Sequence, residues 1–435
     1  MQARELVIQL LNRTEAGESY SNLLLDTTLA RTDLDVRDRN LCKLLYYGTL
    51  KRRITLDAVL EKYVRKSLKK LDLTVHNILR LGIYQLLYCD QIPQHAAVNE
   101  SVQLTKSFRK ANASGFVNAV LRNFLRDDCQ IPYPEDPIQA MSVKYAAPVW
   151  LIERLLSMYG EDRTRNFLAD TLQTPPCYIR RNPICCTAAQ LEQALGNKIS
   201  AVSILPDAYL LRNSEDLRQM TEFQSGWFYV QDLSSQLCAV ALDAKPNETV
   251  LDLCAAPGGK TCTAAIQMQQ SGTVYAYDVA ENRLQLIQDN VRRLHLQNVV
   301  VRKANATQFQ SIWEQKADRV LCDVPCSGFG VLRRKPEIKY KTMESIQDLP
   351  KLQLQILENG ARYVRPGGIL QYSTCTIFLE ENENVVQQFL DAHAEFQLEP
   401  IAPQVDPRLQ EGQVTMLPEM YGGDGFFIAK FRRHE

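Results

Sequence analysis

Two cysteines occupy positions where a thiol could act as a nucleophile. Cys326 lies in Asp323-Val324-Pro325-Cys326-Ser327-Gly328 and Cys375 in Tyr372-Ser373-Thr374-Cys375-Thr376, each where an apolar, strand-like run breaks into a loop. At an ordinary thiol pKa of about 8.5, only a few per cent is thiolate at neutral pH, so such a group needs help from its surroundings. A thiolate that adds to carbon 6 of a pyrimidine makes an enamine of the ring, and carbon 5 then becomes nucleophilic enough to accept a methyl group. Afterwards the carbon 5 proton must leave and the thiol be expelled, steps in which a second thiol or a nearby base can assist. Asp323, three residues before Cys326, places a carboxyl where it could hydrogen bond, or donate a proton, at a ring nitrogen; donation requires a pKa raised by burial. Burial as a small apolar residue is the commoner fate of a free cysteine, and Cys42, Cys89 and Cys238, set in apolar runs, fit it.

A methyl donor needs a site of its own. Leu251-Asp252-Leu253-Cys254-Ala255-Ala256-Pro257-Gly258-Gly259-Lys260 has the form of a buried strand ending in a glycine-bearing turn, where open α/β sheets bind nucleotide-like cofactors. Lys260-Thr261 after two glycines imitates a phosphate loop, with Asp323 as its metal-binding partner, which would make a nucleotide hydrolase. The first glycine of that pattern is replaced by Cys254, and Asp252 would repel phosphates. Asp278 ends the next strand, as expected for a carboxylate on ribose hydroxyls. Acids at successive strand ends suit S-adenosylmethionine, whose sulfonium and amino groups are cationic, and Gly258 and Gly259 permit close approach. Asn305, after the third strand, is placed to reach the adenine amino group.

Composition sets the frame. The chain has 435 residues, 45% hydrophobic and 23% charged, which suggests two or three globular domains. No apolar run of 18 residues or signal peptide is visible, and the 12 cysteines are dispersed, so a cytoplasmic protein with reduced thiols and no membrane contact is expected. The 5 histidines are scattered and no second ligand pair accompanies Cys322 and Cys326, so no metal is expected. Residues 1–130 hold 20 basic and 14 acidic residues; with 50 of each in the whole chain, the remainder must carry the opposite surplus. A basic N-terminal part favours a polyanionic partner.

Residues 1–130 read as helices, from apolar residues at three and four spacing such as Leu41, Leu44 and Leu45. A helix over Thr55–Leu71 is expected to carry a basic face of Lys62, Arg65, Lys66, Lys69 and Lys70, preceded by Lys51-Arg52-Arg53. Such a face is more often plain solvated surface; on nucleic acid it would meet phosphates. Prolines 132, 134 and 137 mark a linker over 131–145. Residues 146–225 read as a small mixed bridging subdomain, with helices near Trp150–Met158 and Asp162–Thr171 and a strand at Cys177–Arg180. From 226 to 435, strands and helices alternate as in a doubly wound parallel sheet, with strands at Thr249–Cys254, Thr273–Val279, Asn298–Ala304, Arg319–Val324, Gly368–Ser373 and Phe426–Phe431.

Several motifs occur in order. Leu253 to Thr261, Asp323 to Gly330, Arg334-Lys335-Pro336-Glu337, and Ser373-Thr374-Cys375-Thr376 followed by Glu380-Glu381-Asn382 closely resemble the RNA 5-methylcytosine methyltransferases of the NOL1/NOP2/Sun type. The likeness covers about Tyr145 to Lys430. Ala97-Val98-Asn99-Glu100 and Gly115 to Arg122 resemble the NusB-like RNA-binding domain, a combination similar to the bacterial Fmu/Sun type of enzyme. The resemblance implies an α/β chain in which an all-helical NusB-like domain precedes a Rossmann-like, S-adenosylmethionine-dependent methyltransferase domain. It further implies action on one cytosine of 16S ribosomal RNA, and a monomer is expected. Carried over by motif, Cys375 would be the nucleophile and Cys326 the thiol that assists release. Cys254, Ala255, Ala256, Pro257, Gly258, Gly259, Lys260, Asp278, Asn305 and Asp323 would bind the cofactor. Asn305 stands where the family usually has Asp, and Lys335-Pro336-Glu337 where relatives often have His-Pro-Asp. Transfer RNA as substrate, or an RNA-binding scaffold with an idle catalytic domain, remain the alternatives.

Overall fold

The computed structural model describes residues 2–17, 21–65, 67–212 and 217–435. They form two compact units, one of Met1–Thr174 with Leu332–Lys341 and one of Pro175–Val331 with Thr342–Glu435.

The first unit is helical among the described residues. Helices Ala3–Glu15, Val36–Lys51 and Leu73–Tyr88 pack around fully buried Leu6, Ile8, Leu45, Tyr46, Ile78 and Ile83. Asp35 and Asp72 cap the latter two by accepting backbone N–H groups of their first turns, each worth about 1 kcal/mol. The basic helix is shorter than its spacing suggests: it runs Arg53–Tyr63, Val64 is extended, and a 3-10 turn follows at Leu68–Lys70. Continuing it would set Arg65 and Lys69 one turn apart, where like charges repel. Lys62 is paired with Asp127 at 2.7 Å, and Lys66 lies outside the described residues.

The expected linker contains the helix Pro137–Tyr145, anchored where the buried Thr55 hydroxyl donates to the Val143 carbonyl at 2.6 Å. The next helix, Val149–Asp170, is broken at Gly160, whose φ of 73° no helix accommodates. These helices belong to the first unit, so the second begins at Pro175 and not near residue 146. Leu332–Lys341 returns to the helical unit. Lys339, fully buried, donates to the Lys51 carbonyl at 3.0 Å, Tyr340 donates to the Leu50 carbonyl at 2.8 Å, and the Glu337 carboxylate accepts from the Ser21 N–H and hydroxyl at 2.9 and 2.6 Å.

The second unit has two sheets among the described residues. The small one pairs β1 (Cys177–Arg181), β2 (Ile199–Ala201), β3 (Ala208–Leu211) and β4 (Phe228–Val230) in the order β2-β3-β1-β4. The large one contains β5 (Thr249–Asp252), β6 (Thr273–Asp278), β7 (Val299–Lys303), β8 (Ala317–Asp323), β9 (Val364–Thr374), β10 (Phe396–Leu398), β11 (Gln413–Met416) and β12 (Phe426–Arg433). Its order is β10-β12-β9-β8-β5-β6-β7, with β11 also on β12. Alternation along β8 sends Val320 and Cys322 into one core and Leu321 into the other, so both faces are covered, as a parallel sheet requires. The sheet is not wholly parallel as expected from the alternation: β12 runs antiparallel to β9, β10 and β11. The short link from β11 to β12 is enough for an antiparallel pair, whereas a parallel one needs a crossover of a dozen residues or more.

Just before β12 begins, the backbone approaches the loop after Cys326 closely. Gly425 donates to the Gly330 carbonyl at 2.9 Å, Gly330 donates to the Cys375 carbonyl at 2.9 Å, and a Cβ on Gly330 would lie 1.9 Å from the Gly425 oxygen. Gly330→Ala is therefore expected to destabilise the protein by about 1–3 kcal/mol in thermal melts. Gly115→Ala, where a Cβ meets nothing within 4 Å, should be neutral or better. Equal melting of the two variants would contradict this packing.

Candidate active site

β5 delivers its chain into a tight bend. Ala255 donates to the Tyr277 carbonyl at 2.8 Å, Gly258 takes a φ of 101°, and the helix Gly259–Gln267 starts directly behind it. The first-turn N–H groups of that helix have no carbonyl four residues back and form a ready anion cradle. Asp252 is buried below the bend. Its Oδ2 accepts from the Thr261 hydroxyl at 2.6 Å, its Oδ1 has no partner, and burial pushes its pKa up to about 7. Asp278 closes β6 and accepts from Ala256 N–H at 3.2 Å and Ala280 N–H at 3.1 Å, with Arg283 at 3.4 Å. Asn305 uses its side-chain oxygen locally, accepting from the Thr307 N–H and hydroxyl at 3.0 and 2.9 Å. Its amide nitrogen is the group left to meet an adenine.

These residues fit S-adenosylmethionine. A cationic ligand matches the orphaned oxygen of Asp252, its carboxylate the helix N-terminus, and its ribose Asp278. A phosphate loop fits less well, because the Lys260 ammonium is spoken for: it meets Asp323 Oδ2 at 2.7 Å. Burial alone would lower the Lys260 pKa, but the Asp323 charge outweighs it and holds the ammonium above its usual range.

The two thiol loops leave neighbouring strands at the same end of the sheet. β8 and β9 are parallel with Asp323 opposite Ser373, so both chains break into loops at the same level. Cys326 Sγ and Cys375 Sγ lie 3.3 Å apart, both partly buried. The Ser373 hydroxyl donates to Asp323 Oδ1 at 2.7 Å, which ties the ends of the strands together. The contact with Cys375, then burial, then nearby negative charge push the Cys326 thiol well above its ordinary value. Burial does the same to Cys254, Cys322, Cys238 and Cys262. Cys42, Cys89 and Cys238 are buried, as their apolar settings suggest.

Sequence reasoning placed Lys260 with the cofactor turn but missed that it bridges to Asp323. It also missed Gln353 and Arg283, and gave no role to Ser373, Glu381 and Asn382, although all three lie in motifs it had singled out. Gln353 donates from Nε2 to the Pro325 carbonyl at 3.0 Å and to Glu381 Oε2 at 2.9 Å, and Glu381 Oε2 also accepts the Ser327 N–H at 2.8 Å. Asn382 accepts from the Thr374 hydroxyl at 2.6 Å and donates to the Thr376 carbonyl at 3.2 Å. Among the described residues no group of three or more His, Cys, Asp or Glu gathers as metal ligands, and no helix is long and apolar enough to cross a membrane.

Comparison with known proteins gives this geometry a context. The family model described as 16S rRNA methyltransferase RsmB/F matches residues 239–432, and that of the NusB family matches residues 1–126. The chain is 35% identical to the probable ribosomal RNA small subunit methyltransferase B of Bacillus subtilis (strain 168), over 99% of this chain and 98% of that protein. It is 34% identical to the protein of the same description from Synechocystis sp., over 99% of each. The crystal structure of PH0851 matches with a TM-score of 0.86 at 27% identity, covering 100% of this chain and 99% of that one. A methyltransferase homologue from Pyrococcus horikoshii matches with a TM-score of 0.59 at 30% identity, covering 68% and 99%. The chain belongs to the ribosomal RNA small subunit methyltransferase B family, enzymes that depend on S-adenosylmethionine and join a NusB-type helical domain to a Rossmann-like catalytic sheet.

Proposed function

We propose that this cytoplasmic enzyme methylates carbon 5 of a cytosine in 16S ribosomal RNA through a covalent bond between Cys375 and carbon 6 of the base. The observation that carries the reading is the 3.3 Å contact of two thiols beside a cofactor bend. S-adenosylmethionine supplies the methyl group when bound, held by the Ala255 to Lys260 bend, Asp278 and Asn305.

Cys375 gives its proton to solvent and its sulfur adds to carbon 6, moving an electron pair to carbon 5, which takes the methyl group. Release needs a proton removed from carbon 5 and a sulfur expelled from carbon 6. Cys326 serves both ends as a relay, receiving the carbon 5 proton while handing its own to the departing Cys375 sulfur. The ring double bond re-forms, and both thiols are restored. A thiol held in its protonated form suits this part better than the attack. Asp323, fixed by Lys260 and Ser373, hydrogen bonds to the polar edge of the base. The base is presented unstacked, because neither carbon 5 nor carbon 6 can be attacked within a stack.

Asp252 links the cofactor bend to pH. Its folded pKa of about 7 exceeds the carboxylate value of 3.8, so the folded state binds the extra proton. Stability from this group is full below about pH 4 and is lost as pH rises to about 7, a change of about 4 kcal/mol. Calorimetry of the free enzyme should find Asp252→Asn more stable than the natural protein at pH 8, with the difference shrinking toward pH 4; the opposite slope would contradict the assignment. Cys326→Ala should accumulate an RNA adduct that migrates slowly on denaturing gels, and Cys375→Ala should not; a reversed pattern would exchange the roles. With labelled methyl donor, 16S ribosomal RNA should be methylated and transfer RNA should not; methylation of transfer RNA alone would sink the substrate assignment.

A further inference from the structure

Glu381 is a carboxylate that the chemistry above does not use, yet it is buried beside it. It is 2% exposed, and its Oε2 accepts two hydrogen bonds, from the Ser327 N–H at 2.8 Å and from Gln353 at 2.9 Å. Oε1 is buried without a partner. Leaving a buried carboxylate oxygen unsatisfied costs stability, so packing alone gives no reason for a carboxylate at this position. Ser327 is the residue after Cys326, and the same Gln353 nitrogen holds the Pro325 carbonyl before it, so the carboxylate grips the Cys326 loop on both sides of the sulfur. From the other direction, the hydroxyl of Tyr372, on β9 beneath Cys375, donates to the Glu381 carbonyl at 2.5 Å, and the neighbouring Asn382 holds Thr374 and Thr376. The Ser327 and Thr376 hydroxyls are themselves 2.8 Å apart. Glu380-Glu381-Asn382 thus fastens each cysteine loop and fastens the two to each other.

We propose that Glu381 is a positioning residue for the two-thiol reaction, its carboxylate holding the Cys326 loop against the Cys375 loop and deciding which of two touching sulfurs attacks. Without such a device two thiols at 3.3 Å are chemically interchangeable. A negative charge next to the Ser327 amide disfavours a second negative charge on Cys326 and leaves Cys375 as the sulfur that ionises. The titratable groups acting on Cys326 are Cys375 from the loop after β9, Glu381 and the Tyr372 phenol on β9. Glu381 adds to the upward push on the Cys326 thiol, after its contact with Cys375 and burial.

This inference rests on the thiol roles proposed above, and its deciding test, the order of alkylation, needs neither RNA nor methyl donor. With limiting iodoacetamide and peptide mass spectrometry from pH 6 to 10, the natural protein should be alkylated first at Cys375. Glu381→Gln keeps the size and an acceptor for Ser327 but removes the charge. It should speed Cys326 alkylation at pH 7 by about threefold or more, because the thiolate is the form that reacts, with an unchanged melting temperature. Methyl transfer should slow through kcat with KM for RNA unchanged, and Glu381→Asp should recover part of it. Alkylation of Cys326 before Cys375 in the natural protein, or an unaltered Cys326 profile in a folded Glu381→Gln variant, would overturn the inference. If Glu381→Gln fails to fold, the order in the natural protein alone decides. Absence of any RNA adduct alongside the predicted alkylation order would instead overturn the covalent reading and leave the role of Glu381 standing.

Discussion

The parallel pairing of β8 with β9 is the constraint on which the active site depends. Strand register sets Asp323 opposite Ser373, and because the strands run the same way, both chains leave the sheet at one end. Two cysteines, three residues beyond Asp323 and two beyond Ser373, are thereby brought to contact although 49 residues separate them. A slip of one residue would turn Val320 and Cys322 from one core to the other and part the sulfurs. The apolar alternation that buries both faces of the sheet is therefore also what aligns the chemistry.

Electrostatics then refine what the sheet places. The Lys260–Asp323 pair joins the helix behind the cofactor bend to the strand that carries Cys326. A largely buried pair adds little net stability, since desolvation offsets most of the attraction, and its consequence is positional: the cofactor bend and the Asp323 carboxylate cannot move apart without leaving the Lys260 charge stranded. Asp252 and Glu381, each with one unpartnered oxygen, are similar departures from good packing. Both lie where a binding or reacting group must be oriented, which is where unsatisfied polar atoms have a use.

Much of this was legible in the sequence. The six principal strands of the catalytic sheet, the glycine-bearing bend, Asp278 and the two thiols all follow from local pattern, because apolar runs and turn residues are local signals. What escaped depends on distant contacts. β2 and β4 are three residues long, too short for periodicity. The reversal of β12 comes from a hairpin with β11 that no alternation announces. Leu332–Lys341 looks like a loop of the catalytic sheet, yet the hydrogen bonds that Glu337 accepts and that Lys339 and Tyr340 donate, all with residues some 300 positions earlier, make it part of the helical unit. The basic helix was overextended because five cations within nine residues mimic one helical face while opposing it electrostatically. Glu381 stands in a recognised motif, but its partners Ser327 and Gln353 are far away in sequence, so only the folded chain gives it a part to play.

The central claim is that the sulfur of Cys375 bonds to carbon 6 of the target base. It is tested most directly with ribosomal RNA in which cytosine is replaced by 5-fluorocytosine, since a fluorine at carbon 5 cannot leave as a proton and the methylated adduct cannot collapse. Digestion and tandem mass spectrometry should then find the modified nucleotide attached to the peptide containing Cys375. Attachment to Cys326, or methyl transfer with no protein-bound nucleotide at all, would contradict the account.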